Sequence, residues 1–141
     1  MQSLEELVKI ITLEKINENT FLGKNYKAPW GRVFGGQVLA QSLHAAYQTV
    51  PEDRYAHSMH AYFILGGDVD VPIKYEVDVI RDGGSFATRR VVAFQNEKPI
   101  FNMSSSFQKK LHLFRNECRI FRASFGLLSS TSRRAVRPAG P

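Results

Sequence analysis

The chain has 141 residues, a single cysteine and a formal net charge of +6. This length fits one domain with a sizeable core, and a lone cysteine excludes an internal disulfide. No stretch approaches the roughly 20 apolar residues of a membrane-spanning helix, and no Cys/His cluster has zinc-site spacing, so no metal and no cofactor is expected.

The positive charge is concentrated after residue 108. Residues 1–108 hold 11 Lys and Arg against 12 Asp and Glu, whereas residues 109–141 hold 8 basic residues and one acid, Glu117. A duplex-binding domain carries its basic stripe on the folded body. Nucleic-acid binding by the body is therefore not expected, and a weak, nonspecific effect of the tail stays open.

The first predicted elements are a short helix and two short strands. Ser3 and Glu6 fit a capping box, and the residues that follow at helical spacing are apolar: Leu4, Leu7, Val8 and Ile11. Residues 13–17 and 20–24 are predicted as strands around a turn. Residues 28–31 are predicted as a loop, because Pro29 biases the preceding residue away from helix.

Residues 36–50 are predicted to form the long helix of the chain, which Pro51 stops. Its apolar face is predicted to comprise Leu39, Leu43, Ala46 and Val50. Small residues elsewhere on the helix would allow close packing against a curved sheet.

Four strands are predicted after the helix. The first covers residues 58–65, and the second begins at residue 73 with alternating apolar and polar residues. Turns at 82–85 and 96–98 then separate strands 86–95 and 99–108. One helix and a long antiparallel sheet predict an α+β domain in which the sheet wraps the helix. Residues 109–141 are predicted to be a poorly ordered basic tail, with a short helix or strand near 111–125 left open.

Four blocks of the sequence carry a family resemblance. They are VFGGQVLAQSL at 33–43, HSMHAYF at 57–63, RDGGSFATRRV at 81–91 and PIFNMSSSFQ at 99–108. In this order and spacing they resemble the type II (TesB-like) acyl-CoA thioesterases. The resemblance implies a hot-dog fold, an antiparallel sheet wrapped around one helix, for a domain covering residues 1–108.

The resemblance covers only the first of the two hot-dog units that such thioesterases carry. The hydrolytic Asp, Ser/Thr and Gln triad of the family belongs to the second unit, so no catalytic residue is assigned here. The chain is thus expected to be a truncated thioesterase, weakly active or inactive alone. The expected partners are acyl-CoA and either a second copy of the chain or a full-length relative. The alternative is a non-enzymatic module that binds acyl-CoA or pairs with a full-length thioesterase and modulates it.

Substrate-binding candidates lie at the start of the long helix. Gly35, Gly36 and Gln37 would offer helix-start N–H groups to a thioester carbonyl oxygen, or the glycines would only let the loop meet the helix. Gln41 would orient a water, or would be a polar group at an interface between units. Trp30 and Phe34 would line an acyl channel or anchor the core.

His57 is the remaining substrate-binding candidate, and its imidazole is also considered as a base. His57 and His60 lie three residues apart on a predicted strand, so they are expected on opposite faces and not as joint metal ligands. A nucleophilic role for Ser58 is not expected. Three arginines, Arg81, Arg89 and Arg90, are predicted to lie on a solvated strand face, with coenzyme A phosphates as the alternative. Family resemblance implies a cytoplasmic or peroxisomal location, although the chain does not end in a Ser-Lys-Leu type of signal.

Overall fold

The computed structural model describes residues 3–110. Helix α1 (Leu4–Ile11) begins after Ser3, whose side chain accepts a hydrogen bond of 3.3 Å from the Glu6 N–H. Strands β1 (Glu14–Lys15) and β2 (Thr20–Gly23) pair as a hairpin. The capped first helix and the two short strands are thus confirmed.

The remaining elements within residues 3–110 are one helix and four long strands. They are α2 (Gly35–Tyr47), β3 (Arg54–Phe63), β4 (Ile73–Asp82), β5 (Phe86–Gln95) and β6 (Lys98–Lys109). All six strands form one antiparallel sheet in the order β1-β2-β4-β5-β6-β3. Strand β3 therefore does not pair with β4, the next strand in sequence. It pairs with β6 and forms one edge of the sheet.

Helix α2 packs across one side of this sheet, which we call the inner face. Alternate strand residues turn apolar side chains toward it, and the fully buried ones include Tyr75, Val91 and Met103. The predicted apolar face contacts the core: Leu43 and Ala46 are buried, and Leu39 and Val50 are partly buried against it. Val38 and Ala45 are buried as well, because α1 also packs on α2 and widens its buried surface. The arrangement is a single hot-dog fold, as predicted.

Two predicted boundaries differ from the structure for local reasons. Helix α2 ends at Tyr47 because its last turn tightens: the Thr49 N–H donates to the Ala46 carbonyl three residues back, ahead of Pro51. Strand β3 begins at Arg54, four residues earlier than predicted. A β-bulge between Ala56 and Ser58 lets the strand continue through this region in register with β6.

Several predictions concern residues that lie outside the described part of the chain. The predicted tail covers 109–141, of which only Lys109 and Lys110 are described, the former as the last residue of β6. Within residues 3–110, no helix is long and apolar enough to cross a membrane.

Candidate functional site

Helix α2 begins with two consecutive glycines, Gly35 and Gly36. Phe34 is the N-cap residue and offers no side-chain hydrogen bond to the helix. The N–H groups of Gln37 and Val38 both donate to the Phe34 carbonyl, at 3.0 and 3.4 Å. The N–H groups of Gly35 and Gly36 come before this first hydrogen-bonded turn. Backbone N–H groups at the start of a helix carry a partial positive charge. Of the three predicted N–H donors, the two glycines are therefore the ones available to a carbonyl oxygen.

Two aromatic rings lie against these glycines. A Cβ atom added at Gly35 would lie 2.9 Å from Cε1 of Phe63, and one added at Gly36 would lie 2.5 Å from Cε1 of Phe34. Both rings are largely exposed. Glycine at these positions thus lets aromatic side chains approach the helix start closely, and a side chain there would displace them.

An apolar pocket of about 320 Å³ opens beside the glycine pair. Its walls come from the start of α2, the end of β3, the loop after β3 and the start of β6. The lining residues are Val33, Gly35, Val38, Phe63, Ile64, Leu65, Gly66, Gly67, Ile100 and Phe101. Not one of them has a titratable side chain. The pocket suits a hydrocarbon chain, and it holds no group that could accept a proton from water.

Gln37 is buried, and its carboxamide is fully engaged inside the protein. The side-chain oxygen accepts from the Tyr26 N–H at 3.0 Å. Its nitrogen donates to Oδ1 of Asn25 at 2.9 Å and to the Lys24 carbonyl at 3.3 Å. The predicted substrate contact of Gln37 was through its backbone N–H, which donates to the Phe34 carbonyl, so this contact stays a prediction.

Gln41, one turn further along α2, is completely buried within the unit and not at an interface between units. Its nitrogen donates to the carbonyls of Ile10 and Lys24, at 2.6 and 2.9 Å, and its oxygen accepts from the Tyr75 hydroxyl. Burial raises the pKa of Tyr75 well above its usual value, which keeps the phenol a donor. Gln41 thus ties α1, the residue after β2, and β4 to α2, and its side chain is closed off from solvent.

His57 lies far from the glycine pair. Its Nε2 is 2.8 Å from Oγ of Ser106, and its ring packs edge-on against Phe86, on the outer face of the sheet. Phe63, whose ring lies against Gly35, is six positions further along β3 than His57, or roughly 20 Å away. The structure does not bring His57 and the glycines together, so a substrate contact of His57 stays a prediction.

The expectation that His57 and His60 point to opposite faces is wrong. His60 pairs with Ser104, two residues from Ser106, so both imidazoles belong to the outer face. The cause is the bulge at Ala56/Ser58, because an extra residue shifts the alternation of side chains by one. Among the described residues, no group of three or more potential ligands could hold a metal ion.

The three arginines do not share one environment. Arg90 is exposed and pairs with Asp78, and Arg81 is also exposed. Arg89, predicted to be solvated, is instead 1% exposed, because the inner-face alternation of β5 points it toward the end of α2. The Arg89 guanidinium donates hydrogen bonds to acceptors within the protein. Trp30 and Phe34 are both largely exposed, so neither anchors the core.

One further buried titratable group lies on α2. Desolvation lowers the pKa of His44, whose Nε2 lies 3.3 Å from the side-chain nitrogen of Gln48. This imidazole is at the far end of the helix from the glycine pair, so it is not part of the pocket.

Sequence reasoning missed Asn25 and Gln95, whose side-chain amides hold the loop that lines the pocket. The inner-face alternation of β5 could have indicated burial of Gln95. Asn25 lies in an irregular connection, and no pattern in the sequence marks it.

Comparison with known proteins shows the family to which the chain belongs. Residues 26–108 match the family profile described as acyl-CoA thioesterase N-terminal domain. This chain belongs to that family, which confirms the resemblance given by the four sequence blocks.

Particular relatives agree with this assignment. The chain is 44% identical over 100 residues to human acyl-coenzyme A thioesterase 8, covering 71% of this chain and 31% of that protein. It is 44% identical over 105 residues to acyl-CoA thioesterase 2 of Haemophilus influenzae, covering 74% and 37%. A solved tesB protein of Mycobacterium avium subsp. paratuberculosis superposes with a TM-score of 0.73 at 29% identity, covering 99% and 48%. The chain thus spans about a third of the length of these curated relatives.

Proposed function

We propose that this chain takes part in the hydrolysis of fatty acyl-CoA to free fatty acid and coenzyme A, as the unit that binds the acyl group. The observation that carries the proposal is an apolar pocket lined by Gly35, whose N–H, like that of the adjacent Gly36, precedes the first hydrogen-bonded turn of α2. The acyl chain enters the pocket, and the thioester carbonyl oxygen faces Gly35 and Gly36. Relatives named as acyl-CoA thioesterases support this choice of substrate.

The same geometry supports weak hydrolysis, or none, by residues 3–110 on their own. The two N–H groups would stabilise negative charge on the carbonyl oxygen as water attacks. The attacking water must also lose a proton, and the lining residues offer no base. We therefore infer that the base is supplied by another unit, in line with the expectation that the triad belongs to a second hot-dog unit. The alternative of a purely modulatory module has no observation in its favour here.

We expect the protein to bind octanoyl-CoA and to release its thiol slowly, if at all. Binding is measured by calorimetry and turnover by a thiol-release assay on the same sample. In Gly35→Ala the new methyl group displaces the exposed Phe63 ring at the pocket mouth, and we expect affinity to fall about ten-fold or more.

The matched control is Gly84→Ala, where an added Cβ meets nothing within 4 Å. We expect this variant to bind octanoyl-CoA like the parent protein. Equal affinity of Gly35→Ala and the parent would remove the glycine pair from the site. Rapid thiol release by the purified chain would contradict the assignment of the base to another unit.

A second copy of the chain is the proposed partner, with pairing to a full-length relative as the other case. Strand β3 is hydrogen-bonded to β6 on one side only, so its other edge offers unpaired backbone groups. Exposed apolar side chains accompany this edge, namely Met59, Phe63, Ile64 and Leu65. Edge strands with these properties are templates for pairing with another chain.

We expect light scattering to give twice the chain mass of 16.0 kDa. Met59→Lys places a charge beside the free edge and should give the monomer mass. Ile16→Lys makes the same kind of change at an exposed site near the opposite edge and should leave the dimer intact. A monomeric parent protein, or a dimer in Met59→Lys, would contradict pairing through β3.

The proposed location of the protein is the cytoplasm or the peroxisome. A relative at 38% identity over 102 residues is named peroxisomal acyl-coenzyme A thioester hydrolase 1, from Saccharomyces cerevisiae. Fluorescence of a tagged chain against a peroxisomal marker distinguishes the two compartments.

A further inference from the structure

The loop between β3 and β4, residues 64–72, is held by side-chain amides from outside it. The Asn25 nitrogen donates to the carbonyls of Asp68 and Val71, at 3.2 and 2.5 Å. The Gln95 nitrogen donates to the same two carbonyls, at 2.8 and 2.6 Å, and its oxygen accepts from the Asp68 N–H at 2.8 Å. Two amides from distant parts of the chain thus fix the same segment of this loop.

Gln37 fixes one of these two amides. It donates 2.9 Å to Oδ1 of Asn25, which leaves the Asn25 nitrogen directed at the loop carbonyls. Its own oxygen is occupied by the Tyr26 N–H. Because Oδ1 of Asn25 accepts from α2 while its nitrogen donates to the loop, the two residues form a relay from the helix start to the loop.

The loop held in this way is one wall of the apolar pocket. Its residues 64–67 line the cavity, and the Gly67 carbonyl accepts at 3.0 Å from the N–H of Val33, another lining residue. The glycine pair and Gln37 are consecutive on α2. The segment that sets the position of the wall therefore begins next to the groups proposed to receive the thioester.

We propose that Gln37 is a positioning residue that sets the width of the acyl pocket through Asn25 and the loop, without touching the ligand. The inference rests on the proposed function, because the pocket is taken to hold the acyl chain. A pocket of fixed width discriminates between acyl chains by the number of methylene groups it can bury. Loosening the wall should therefore change the preference among acyl chains more than it changes contact with the shared coenzyme A part.

The test compares Gln37→Met and Asn25→Asp with two matched controls. Gln37→Met keeps the length of the side chain but loses its amide, and Gln48→Met makes the same change at the exposed end of α2. Asn25→Asp replaces the donor to the loop carbonyls, whereas Asn17→Asp keeps the acceptor that Asn17 already provides to the Asn19 N–H. Affinities for palmitoyl-CoA and butyryl-CoA are measured for each variant, together with hydrogen exchange of the loop amides.

We expect the ratio of the two affinities to change about five-fold or more in Gln37→Met and Asn25→Asp, with faster exchange at Asp68 and Val71. Both controls should match the parent protein. Equal weakening of both ligands with unchanged loop exchange would mean that Gln37 touches the ligand and would overturn the proposal. Faster exchange with an unchanged ratio would also overturn it, since Gln37 would then be structural only.

Failure of the proposed function has a different signature. A parent protein that binds neither acyl-CoA overturns the function itself, and the affinity ratio then has no meaning. Hydrogen exchange needs no ligand, so it still decides whether Gln37 and Asn25 hold the loop.

Discussion

Arg89→Met is expected to lower the free energy of unfolding by about 2–4 kcal/mol. The guanidinium is 1% exposed and donates five hydrogen bonds, which no other side chain can replace. It joins Oγ1 and the carbonyl of Thr49, after the end of α2, to the carbonyls of Arg81 and Thr88 and to Asp82. Methionine fills much of the volume but leaves these carbonyls without a donor.

The salt bridge itself contributes little of this amount. The Asp82 side chain is 56% exposed, so solvent screens its interaction with Arg89. Most of the loss comes from the unsatisfied carbonyls, and Arg89→Lys should recover only part of it because an ammonium cannot span the same acceptors.

Arg90→Met is the matched control, since Arg90 is the next residue and pairs with Asp78 on the exposed outer face. Its expected change is within about 0.5 kcal/mol. Urea unfolding monitored by circular dichroism measures the variants. Similar midpoints for Arg89→Met and Arg90→Met would mean that the buried guanidinium does not stabilise the fold.

Gly23→Ala is expected to lower the free energy of unfolding by about 2–4 kcal/mol. An added Cβ would lie 2.9 Å from Oε1 of Gln41 and 2.9 Å from Cε2 of Tyr75. Both neighbours are completely buried and hydrogen-bonded to each other, so neither can move aside cheaply. The methyl group therefore strains the packing and disturbs the bond between the phenol and the amide.

Gly84→Ala is again the control, because its Cβ would enter open space. Thermal unfolding followed by near-ultraviolet circular dichroism reports on Tyr75 as well as on stability. If Gly23→Ala fails to fold, Tyr75→Phe tests the same network more gently by deleting only the hydroxyl. An unchanged melting temperature in both variants would contradict a stabilising role of this contact.

Much of the fold could be predicted because it follows from local patterns in the sequence. Alternation at Ile73, Tyr75 and Val77 predicts β4, and the turns before Phe86 and Lys98 predict the meander that follows. The same alternation could have placed Arg89 on the inner face, since Ala87 and Val91 flank it at a spacing of two. The prediction gave more weight to the charge of Arg89 than to its position. The Thr49 acceptors that help to hold this arginine lie 40 residues away in sequence, so no local pattern shows them.

The site was predicted only in part, because its geometry depends on contacts between distant segments. Gly35 and Gly36 lie at the helix start as expected. Nothing in the sequence shows that the Gln37 N–H bonds to Phe34, or that its side chain meets Asn25. The bulge in β3 likewise has no sequence signal, and it alone reverses the expected placement of His57 relative to His60.

The strand order has a consequence for synthesis on the ribosome. Strand β3 pairs with β6, the last strand of the sheet, so residues 54–63 find their partner only after residues 98–109 have been made. Translation at about 5–20 residues per second leaves β3 waiting for some seconds. During this interval α2, β2 and β4 can already associate. Strand β3 is then connected to them only covalently and has no strand to pair with. The nascent protein thus carries one strand without a partner until its sheet is nearly complete.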